Sequence, residues 1–274
     1  MPKVSVLVPL YNTDENHLKE MIESVLNQTF ADFELLLLND SPDNENIRRI
    51  VGSYSDNRIF YSENPENYGI SVSRNKLLEM AKGEYLAIFD HDDICMPNRL
   101  ELQVAYMDKH PEVGVCSGWM HEIPRDRVNK QPEGNEEIKR GLMRGCCVVH
   151  SAAMLRKSTL VKNNIRYEAF YSPAEDYVLW IRLMAVTMFH NIQQPLIKYR
   201  NHPDNTSHRQ KEKMLDKDAM IKCIAYQNYP YLLDANRRKS WIYLFGLVPF
   251  IKVTRIAEKK CYYLFGLIPL FTLK

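Results

Sequence analysis

Residues 4–38 read VSVLVPLYNTDENHLKEMIESVLNQTFADFELLLL and contain a strand pattern, a helix pattern and a second strand pattern. The first six residues are mostly apolar and rich in β-branched side chains, which is typical of a buried strand. Apolar residues then follow the i, i+3, i+4, i+7, i+8 spacing of an amphipathic helix: Leu18, Met21, Ile22, Val25 and Leu26. Asp14 precedes this helix and can cap it, and residues 34–38 form a second apolar run. The stretch predicts a β-α-β unit.

The alternation of strand and helix patterns continues to about residue 116. We expect further helices around 47–51, 71–81 and 100–107, and further strands near 59–61, 85–89 and 113–116. Such alternation predicts an α/β fold with a mainly parallel sheet flanked by helices. Residues 119–137 are charged and rich in proline, and we expect a connecting loop there. Structure resumes at 146–155, and a helix follows Glu175.

Polar residues at the predicted strand ends are the candidate ligand-binding residues, because ligands bind beyond the carboxyl ends of parallel strands. Asp90 and Asp92 lie two apart after a strand, so on an extended chain their carboxylates project to the same side. Mg²⁺ and Mn²⁺ prefer such oxygen ligands and often bind one or two carboxylates together with phosphate oxygens. The alternative is that Asp92 and Asp93 cap the helix near Pro97.

Two other acidic sites have two interpretations each. Asp40 can accept a hydrogen bond from a nucleobase N–H group, or it can cap the helix that follows Pro42. Glu175 and Asp176 open an apolar helix, where a carboxylate suits a general base. Acidic residues in a first helical turn also interact favourably with the helix dipole.

Several short motifs occur along the chain in a fixed order. They are Pro9-Leu10-Tyr11-Asn12, Gln28-Thr29-Phe30, Asn39-Asp40-Ser41, Gly69 with Arg74-Asn75, Gly83-Glu84-Tyr85, Asp90-His91-Asp92-Asp93, Glu175-Asp176-Tyr177-Val178-Leu179-Trp180 and Tyr199-Arg200-Asn201-His202. This ordered set resembles the family 2 glycosyltransferases with the GT-A, or nucleotide-diphospho-sugar transferase, fold. The resemblance covers about residues 3 to 205. It implies a catalytic domain over 1–205, with a nucleotide-binding half to about 115 and an acceptor and catalytic half from 116.

The resemblance implies roles for the donor-side residues. Asp40 would bind the uracil ring, and Pro9 and Tyr11 would line the base and ribose pocket. Arg74 would lie near the diphosphate. The family's loop after the second strand often reads D-G-S, whereas this chain has Asp40-Ser41-Pro42. Proline has no N–H group, so this loop has one backbone donor fewer for the diphosphate. The contact of Asp40 with uracil does not depend on that donor.

The resemblance also implies a cofactor and a base. Asp92 would be the principal ligand of Mn²⁺ or Mg²⁺, and Asp90 would lie close to the ribose or the metal. His202 would contribute to the metal or diphosphate site, with a surface histidine as the alternative. Asp176 would deprotonate the acceptor, and Glu175 is the second candidate for this base.

The implied function is metal-dependent transfer, with inversion, from a nucleotide-diphosphate sugar to a glycan or lipid-linked acceptor. UDP is the nucleotide expected, and bacterial surface polysaccharide synthesis is the expected process. The alternative is a non-catalytic nucleotide-sugar or glycan-binding module. A nicotinamide-dependent dehydrogenase is disfavoured because residues 9–15 contain no glycine. A sugar nucleotidyltransferase is disfavoured because a Gly-rich basic loop is missing there.

The composition and the cysteines indicate the cellular compartment. The hydrophobic fraction of 45% and the charged fraction of 26% are typical of a globular protein. The six cysteines form no C-x-x-C pair, and no secretory signal follows Met1. We therefore expect reduced thiols and a cytoplasmic protein.

The C-terminal part contains a repeat. Residues 243–250 recur, with two substitutions, at 263–270, and each apolar run is too short to span a bilayer as a helix. Residues 235–274 contain eight basic residues and one acidic, a net charge of +7. Since the whole chain has 36 basic and 34 acidic residues, the remainder has 28 and 33, a net charge of −5.

This distribution predicts a helical connector at 206–234 and a short basic and apolar appendage at 235–274. We expect the appendage to bind the anionic inner face of the cytoplasmic membrane. Packing on the catalytic domain is the alternative. Nucleic-acid binding is not expected, because the apolar blocks do not suit a surface that follows phosphates.

Overall fold

The computed structural model describes residues 1–202, 205–233, 240–244, 248–256, 259–264 and 268–273. Within these residues the strands are β1 (Val4–Leu10), β2 (Phe33–Asn39), β3 (Ile59–Glu63), β4 (Tyr85–Ile88), β5 (Ile94–Cys95), β6 (Val113–Ile123), β7 (Arg127–Asn129), β8 (Met154–Arg156), β9 (Met188–Arg200), β10 (Ser240–Leu244), β11 (Val248–Ile256), β12 (Lys259–Leu264) and β13 (Ile268–Leu273).

The α-helices of the same residues are α1 (Glu15–Leu26), α2 (Glu45–Val51), α3 (Ile70–Met80), α4 (Arg99–Lys109), α5 (Asn135–Leu142), α6 (Lys157–Asn163), α7 (Glu175–Leu183), α8 (Thr206–Arg209) and α9 (Lys211–Asn228). Short 3₁₀ helices lie at His150–Ala152, Ala169–Tyr171 and Pro230–Leu232.

The first half of the large sheet is parallel, in the order β3-β2-β1-β4. Every residue of β1 and β2 is buried, as the apolar runs predict. Val4 pairs with Phe33 on one side and with Tyr85 on the other. Asp14 caps α1 by accepting bonds from the N–H groups of Asn16, at 2.9 Å, and His17, at 3.1 Å. The predicted β-α-β unit is confirmed.

The second half of the sheet is mixed. β8 lies antiparallel between β4 and β6, β6 runs parallel to β9, and β5 and β7 pair antiparallel with β9 and β6. The prediction of a loop over 119–137 is wrong for residues 119–129, because β6 continues to Ile123 and β7 pairs back on it. The pairing with β9 satisfies the backbone there, so half-exposed side chains such as those of Met120 and His121 can occupy a strand without a regular apolar pattern.

Helices cover both faces of the sheet. Alternate residues of β2 belong to two different core clusters, Leu35 to one and Leu36 to the other. The first cluster includes apolar residues of α1, α2 and α4, and the second those of α3, α5, α7 and α9. The segment expected to be helical after residue 205 contains α8 and α9. Ile221 and Ala225 of α9 are buried in the second cluster, and the Tyr229 hydroxyl donates to the Ile181 carbonyl at 3.0 Å.

The C-terminal repeat consists of two β-hairpins with the same register. Leu244 pairs with Val248 in the first hairpin, and Leu264 pairs with Ile268 in the second. Both hairpins have a bulge at the same relative position, and β10-β11-β12-β13 form one antiparallel sheet. Within the repeat, residues 245–247 and 265–267 lie outside the described residues.

Across the described ranges, no helix combines the length and the apolar character that a bilayer crossing requires. Four of the described cysteines are free thiols: Cys95, Cys116, Cys146 and Cys147.

Candidate active site

A cavity of about 680 Å³ opens at the carboxyl ends of β1 and β2. The residues that line it are Tyr11, Asn12, Asp40, Ser41, Pro42, Asp43, Asn44, Glu45, Asn46, Pro65, Glu66 and Asn67. Four of these twelve are acidic and none is lysine or arginine. Tyr11 is 49% exposed and lies in the wall as expected. Pro9, which we also expected at the base and ribose pocket, is buried within β1, which extends to Leu10, and is not among the residues that line this cavity.

Asp40 organises the loop that leads into α3. Its Oδ1 accepts from the Tyr68 N–H at 2.9 Å and from Asn64 Nδ2 at 2.6 Å, and its Oδ2 accepts from the Gly69 N–H at 2.8 Å. Gly69 has a φ of 83°, a conformation that favours glycine. Asp40 does not cap α2, whose N-cap residue is Asn44. Since each carboxylate oxygen has two lone pairs, Oδ2 retains one acceptor position.

Ser41 joins the loops after β1 and β2. Its hydroxyl oxygen accepts from the Asn12 N–H at 3.0 Å. The hydroxyl and the N–H group of Ser41 both donate to Asn39 Oδ1, each at 2.9 Å. The serine that replaces the family's glycine is therefore held by the protein itself and fixes the shape of the cavity wall.

The turn after β4 brings Asp92 to His202. Asp92 Oδ2 lies 3.0 Å from His202 Nε2, and the two side chains are 19% and 28% exposed. The extended geometry expected for residues 90–92 is wrong, because β4 ends at Ile88 and the chain turns at residues 91 and 92. Asp90 instead accepts a hydrogen bond from Arg74. The two carboxylates consequently have different partners.

Asp93 fixes this arrangement from within the protein. It is fully buried, and it accepts from the Ser151 hydroxyl at 2.6 Å and from the Arg200 N–H at 3.0 Å. Arg200 Nε in turn donates to the Asp92 carbonyl at 2.9 Å. These bonds hold the end of β9, and therefore His202, against the turn. Neither Asp92 nor Asp93 caps α4, whose N-cap residue is Asn98.

The residues at this turn fit a divalent cation that a nucleotide helps to bind. In the described part of the chain, no three His, Cys, Asp or Glu side chains come together as a metal site. Asp92 and His202 are a pair with one oxygen and one nitrogen ligand, a set that suits Mn²⁺ better than Mg²⁺. A cation held by two protein ligands needs phosphate or water oxygens to complete its coordination.

Arg74 lies between two acidic side chains. Its Nη1 donates to Glu175 Oε1 at 2.7 Å, and its Nη2 donates to Asp90 Oδ1 at 3.1 Å. The Arg74 and Glu175 side chains are only 10% and 7% exposed. We expected Arg74 beside a diphosphate; the structure places its guanidinium in a buried ion cluster that joins α3, the turn after β4 and α7.

Asp176 is the neighbour of that cluster. Its Oδ1 accepts from the N–H group of Tyr177 at 2.7 Å. Burial is the main cause that raises the pKa of Asp176 to about 7, and the negative charge of Glu175 is the second cause. A carboxylate with this pKa can accept a proton near neutral pH, which is the property that a general base requires.

Two residues that the sequence did not indicate, His150 and Tyr167, support the ion cluster together with Asn75 of the Arg74-Asn75 motif. His150 Nε2 lies 2.9 Å from the Tyr167 hydroxyl, and Asn75 exchanges two hydrogen bonds of 2.9 Å with the Tyr167 backbone. The Arg74 guanidinium lies 5.5 Å from the centre of the Tyr167 ring. Burial, followed by the charge of Arg74, lowers the pKa of His150 to about 3, so this imidazole is neutral.

Fold and site together define a class. A parallel sheet with its cavity and acidic turn at the carboxyl edge, extended by a mixed second half, is the GT-A fold of nucleotide-diphospho-sugar transferases. The chain belongs to glycosyltransferase family 2: the model of the family described as glycosyl transferase family 2 matches residues 5–163. The expected family and fold are confirmed.

Curated relatives agree. An uncharacterized glycosyltransferase of Methanocaldococcus jannaschii is 35% identical over 223 residues, which are 78% of this chain and 76% of that protein. The glycosyltransferase EpsE of Bacillus subtilis is 32% identical over 74% of each chain. The amylovoran biosynthesis glycosyltransferase AmsE of Erwinia amylovora is 28% identical over 75% of this chain and 79% of its own. Two longer relatives from Rickettsia are 30% identical to this chain, but the match covers only 35% of their own length.

Solved structures share the fold. TarS of S. aureus, residues 1–349 in complex with UDP-GlcNAc, superposes with a TM-score of 0.68 at 19% identity, over 82% of this chain and 67% of that one. The mannosyltransferase PcManGT from Pyrobaculum calidifontis, in complex with GDP-Man and Mn²⁺, gives a TM-score of 0.59 at 16% identity, over 85% and 74% of the chains.

Replacing Arg74 by alanine should destabilise the protein strongly. Removing the guanidinium leaves Glu175 buried without its cation and the partly exposed Asp90 without its partner. Breaking a buried pair such as Arg74–Glu175 in this way costs about 3–5 kcal/mol. Urea unfolding measures the loss. Arg166→Ala is the matched control: Arg166 contacts Glu79 at 2.7 Å, but both side chains are more than half exposed, so its loss costs about 1 kcal/mol or less. An Arg74→Ala protein of unchanged stability that no longer binds a nucleotide sugar would instead favour a diphosphate contact.

Proposed function

We propose that this family 2 glycosyltransferase transfers a sugar, with inversion, from a UDP-sugar to a hydroxyl group of a glycan or lipid-linked acceptor. The observation that carries the proposal is the position of Asp176, whose pKa is raised to about 7, beside the ion cluster that reaches the acidic turn after β4. TarS with UDP-GlcNAc supports the donor class, and the amylovoran relative supports a polysaccharide product.

Asp40 is the proposed contact to the base. Its Oδ2 has one acceptor position left, and the carboxylate lines the cavity. Uracil presents a ring N–H group that can donate to this position. Tyr11, half exposed in the same wall, offers a ring surface for the base or ribose. Stacking and one charge-assisted hydrogen bond are a common combination for binding a nucleoside.

Asp92 and His202 are the proposed ligands of Mn²⁺ or Mg²⁺, with Asp90 close by. The cavity supports this proposal through its charge, because four acidic residues and no lysine or arginine line it. A diphosphate entering such surroundings requires a counter-cation. A bound divalent cation neutralises the negative charge that develops on the departing diphosphate. The Mn²⁺ in the structure of PcManGT is a cation of the same kind.

Asp176 is the proposed base. Its carboxylate accepts the proton of the acceptor hydroxyl while that oxygen forms a bond to the anomeric carbon. The bond between the anomeric carbon and the phosphate oxygen breaks, and UDP leaves with the electron pair. Attack opposite the departing oxygen inverts the anomeric configuration, which proton NMR of the product reports. Glu175 is the weaker candidate because its Oε1 is bound to Arg74.

Asp176→Asn should separate binding from transfer. The amide cannot accept a proton, so turnover should fall about 10²–10⁴-fold while UDP affinity stays near normal. The wild-type rate should rise with pH through about 7, because Asp176 must lose its proton to act. The assay is UDP release, with Asp216→Asn, an exposed acid of α9, as control. Near-normal transfer by Asp176→Asn would assign the base to another group, and UDP-sugar binding without any release by the wild type would indicate a binding module.

Asp92→Asn should weaken nucleotide binding only when a cation is present. The substitution replaces an anionic ligand by a neutral amide, so the gain in UDP affinity on adding Mn²⁺ should largely disappear. Calorimetric titration of UDP with and without Mn²⁺ measures this gain. Asp126→Asn is the matched control, because Asp126 also pairs with a histidine, His121, at 2.6 Å on an exposed turn. An unchanged Mn²⁺ effect in Asp92→Asn would refute the metal assignment.

We also propose that residues 235–274 bind the anionic inner face of the cytoplasmic membrane. The net charge of +7 and the apolar repeat support a surface contact. The described strands β10–β13 give this segment a sheet structure, and the paired hairpins present the repeat twice.

Neutralising the appendage should release the protein from acidic vesicles. Lys252, Arg255, Lys259 and Lys260 changed together to glutamine should reduce binding at least about 100-fold, since each basic residue contributes about 1 kcal/mol near such a surface. Binding by the wild type should also weaken as salt rises. The control changes the same number of exposed basic residues elsewhere: Lys109, Arg127, Lys162 and Lys211. Equal vesicle binding by both variants would contradict the membrane proposal.

A further inference from the structure

Two adjacent acids open α7, and their surroundings differ. Glu175 is buried at 7% exposure and its Oε1 accepts from Arg74 at 2.7 Å. Asp176 is half-buried, and its Oδ1 accepts from the backbone of Tyr177. Only Glu175 of the two has an arginine hydrogen-bonded to it in the described structure. The two carboxylates therefore differ in their surroundings: that of Glu175 is bound to the Arg74 guanidinium, and that of Asp176 has no arginine bound to it in the described structure.

The guanidinium of Arg74 is shared by two carboxylates, so the cluster keeps a net negative charge. Arg74 carries one positive charge and contacts two carboxylates, those of Asp90 and Glu175. Glu175 Oε2 is buried without a hydrogen-bond partner. Because few protein dipoles solvate it, the charge of Glu175 acts strongly on nearby groups in this low-dielectric region. The titratable groups on which this charge acts include Arg74, Tyr167 and Asp176, the next residue.

We propose that Glu175 is a positioning residue, held in an ion pair by Arg74, whose negative charge makes Asp176 a stronger base for the acceptor hydroxyl. The inference rests on the proposed role of Asp176. It gives Glu175 a function without contact to the substrate, and it gives Arg74 the function of holding that charge in place. The raised pKa of Asp176 agrees with this arrangement, since burial and then Glu175 are its causes.

The effect of Glu175 on the pKa of Asp176 can be separated from the effects of the other groups nearby. The charged or titratable groups that act on it or respond to it are Glu175, Arg74, Asp90, Cys146 and Tyr167. Burial raises the pKa of Tyr167, and the charge of Asp176 contributes to the raised pKa of the exposed Cys146 thiol, so these two are neutral around pH 7. Arg74 lowers and Asp90 raises the pKa of Asp176, and both remain when Glu175 is changed. Replacing Glu175 by glutamine therefore removes one charge and keeps the side-chain shape.

The test is the pH dependence of kcat for the full-length protein and its Glu175→Gln variant, with UDP release as the readout. The acid limb should move to lower pH by roughly one unit, because a neighbouring unit charge shifts a carboxylate by about that much. The plateau rate should fall severalfold, since a weaker base transfers the proton less readily. Carbon NMR of the Asp176 carboxyl, assigned by its absence in Asp176→Asn, should report the same shift without substrate.

Glu168→Gln is the matched control, because Glu168 also pairs with an arginine of α7, Arg182, at 2.9 Å, but in a more exposed position. Its acid limb should stay in place. An unshifted limb and an unshifted carboxyl titration in Glu175→Gln would overturn the inference, while an inactive Asp176→Asn would leave the base assignment intact. Transfer lost in Glu175→Gln and retained in Asp176→Asn would overturn both, since Glu175 would then be the base.

Discussion

The buried contact of Arg74 with Asp90 and Glu175 is the interaction on which the site depends. It joins α3, the turn after β4 and the start of α7, which come from the two halves of the sheet. Charges taken out of water are costly unless they are paired with good geometry. The cluster therefore stabilises one relative position of these elements, in which the turn after β4 and the start of α7 with Asp176 are brought together. His150, Tyr167 and Asn75 surround it and hold it in place.

The topology of the sheet explains why such distant residues meet. β8 lies between β4 and β6, and β9 returns parallel to β6 over its whole length, so that its end reaches the turn after β4. Asp93, bound to Ser151 and the Arg200 backbone, fixes that meeting point. Asp92 and His202 are 110 residues apart in sequence and 3.0 Å apart in space. The positions of the proposed cation ligands thus depend on the buried Asp93.

The periodicity of the sequence was sufficient for the parallel half of the fold. Buried parallel strands are continuous apolar runs, and α1 has a clear amphipathic spacing and a cap. The mixed half was not predictable in this way. β6 continues through half-exposed residues of mixed polarity because β9 and β7 satisfy its backbone, and a pattern of side chains does not report that pairing. The ordered motifs indicated Asp40, Asp92 and Asp176, but not that Arg74 would bridge Asp90 and Glu175, since an ion pair over 101 residues leaves no local signal. His150 and Tyr167 lie in stretches without periodicity.

The central claim is that the carboxyl edge of the sheet holds the nucleotide and its cation, with Asp40 at the base and Asp92 and His202 at the metal. A crystal structure of the protein soaked with UDP and Mn²⁺, with anomalous data collected at the manganese edge, tests it most directly. The account predicts an anomalous peak within coordination distance of Asp92 and His202, and uracil hydrogen-bonded to Asp40. A peak elsewhere, or UDP bound away from the cavity that Tyr11 and Asp40 line, would contradict it.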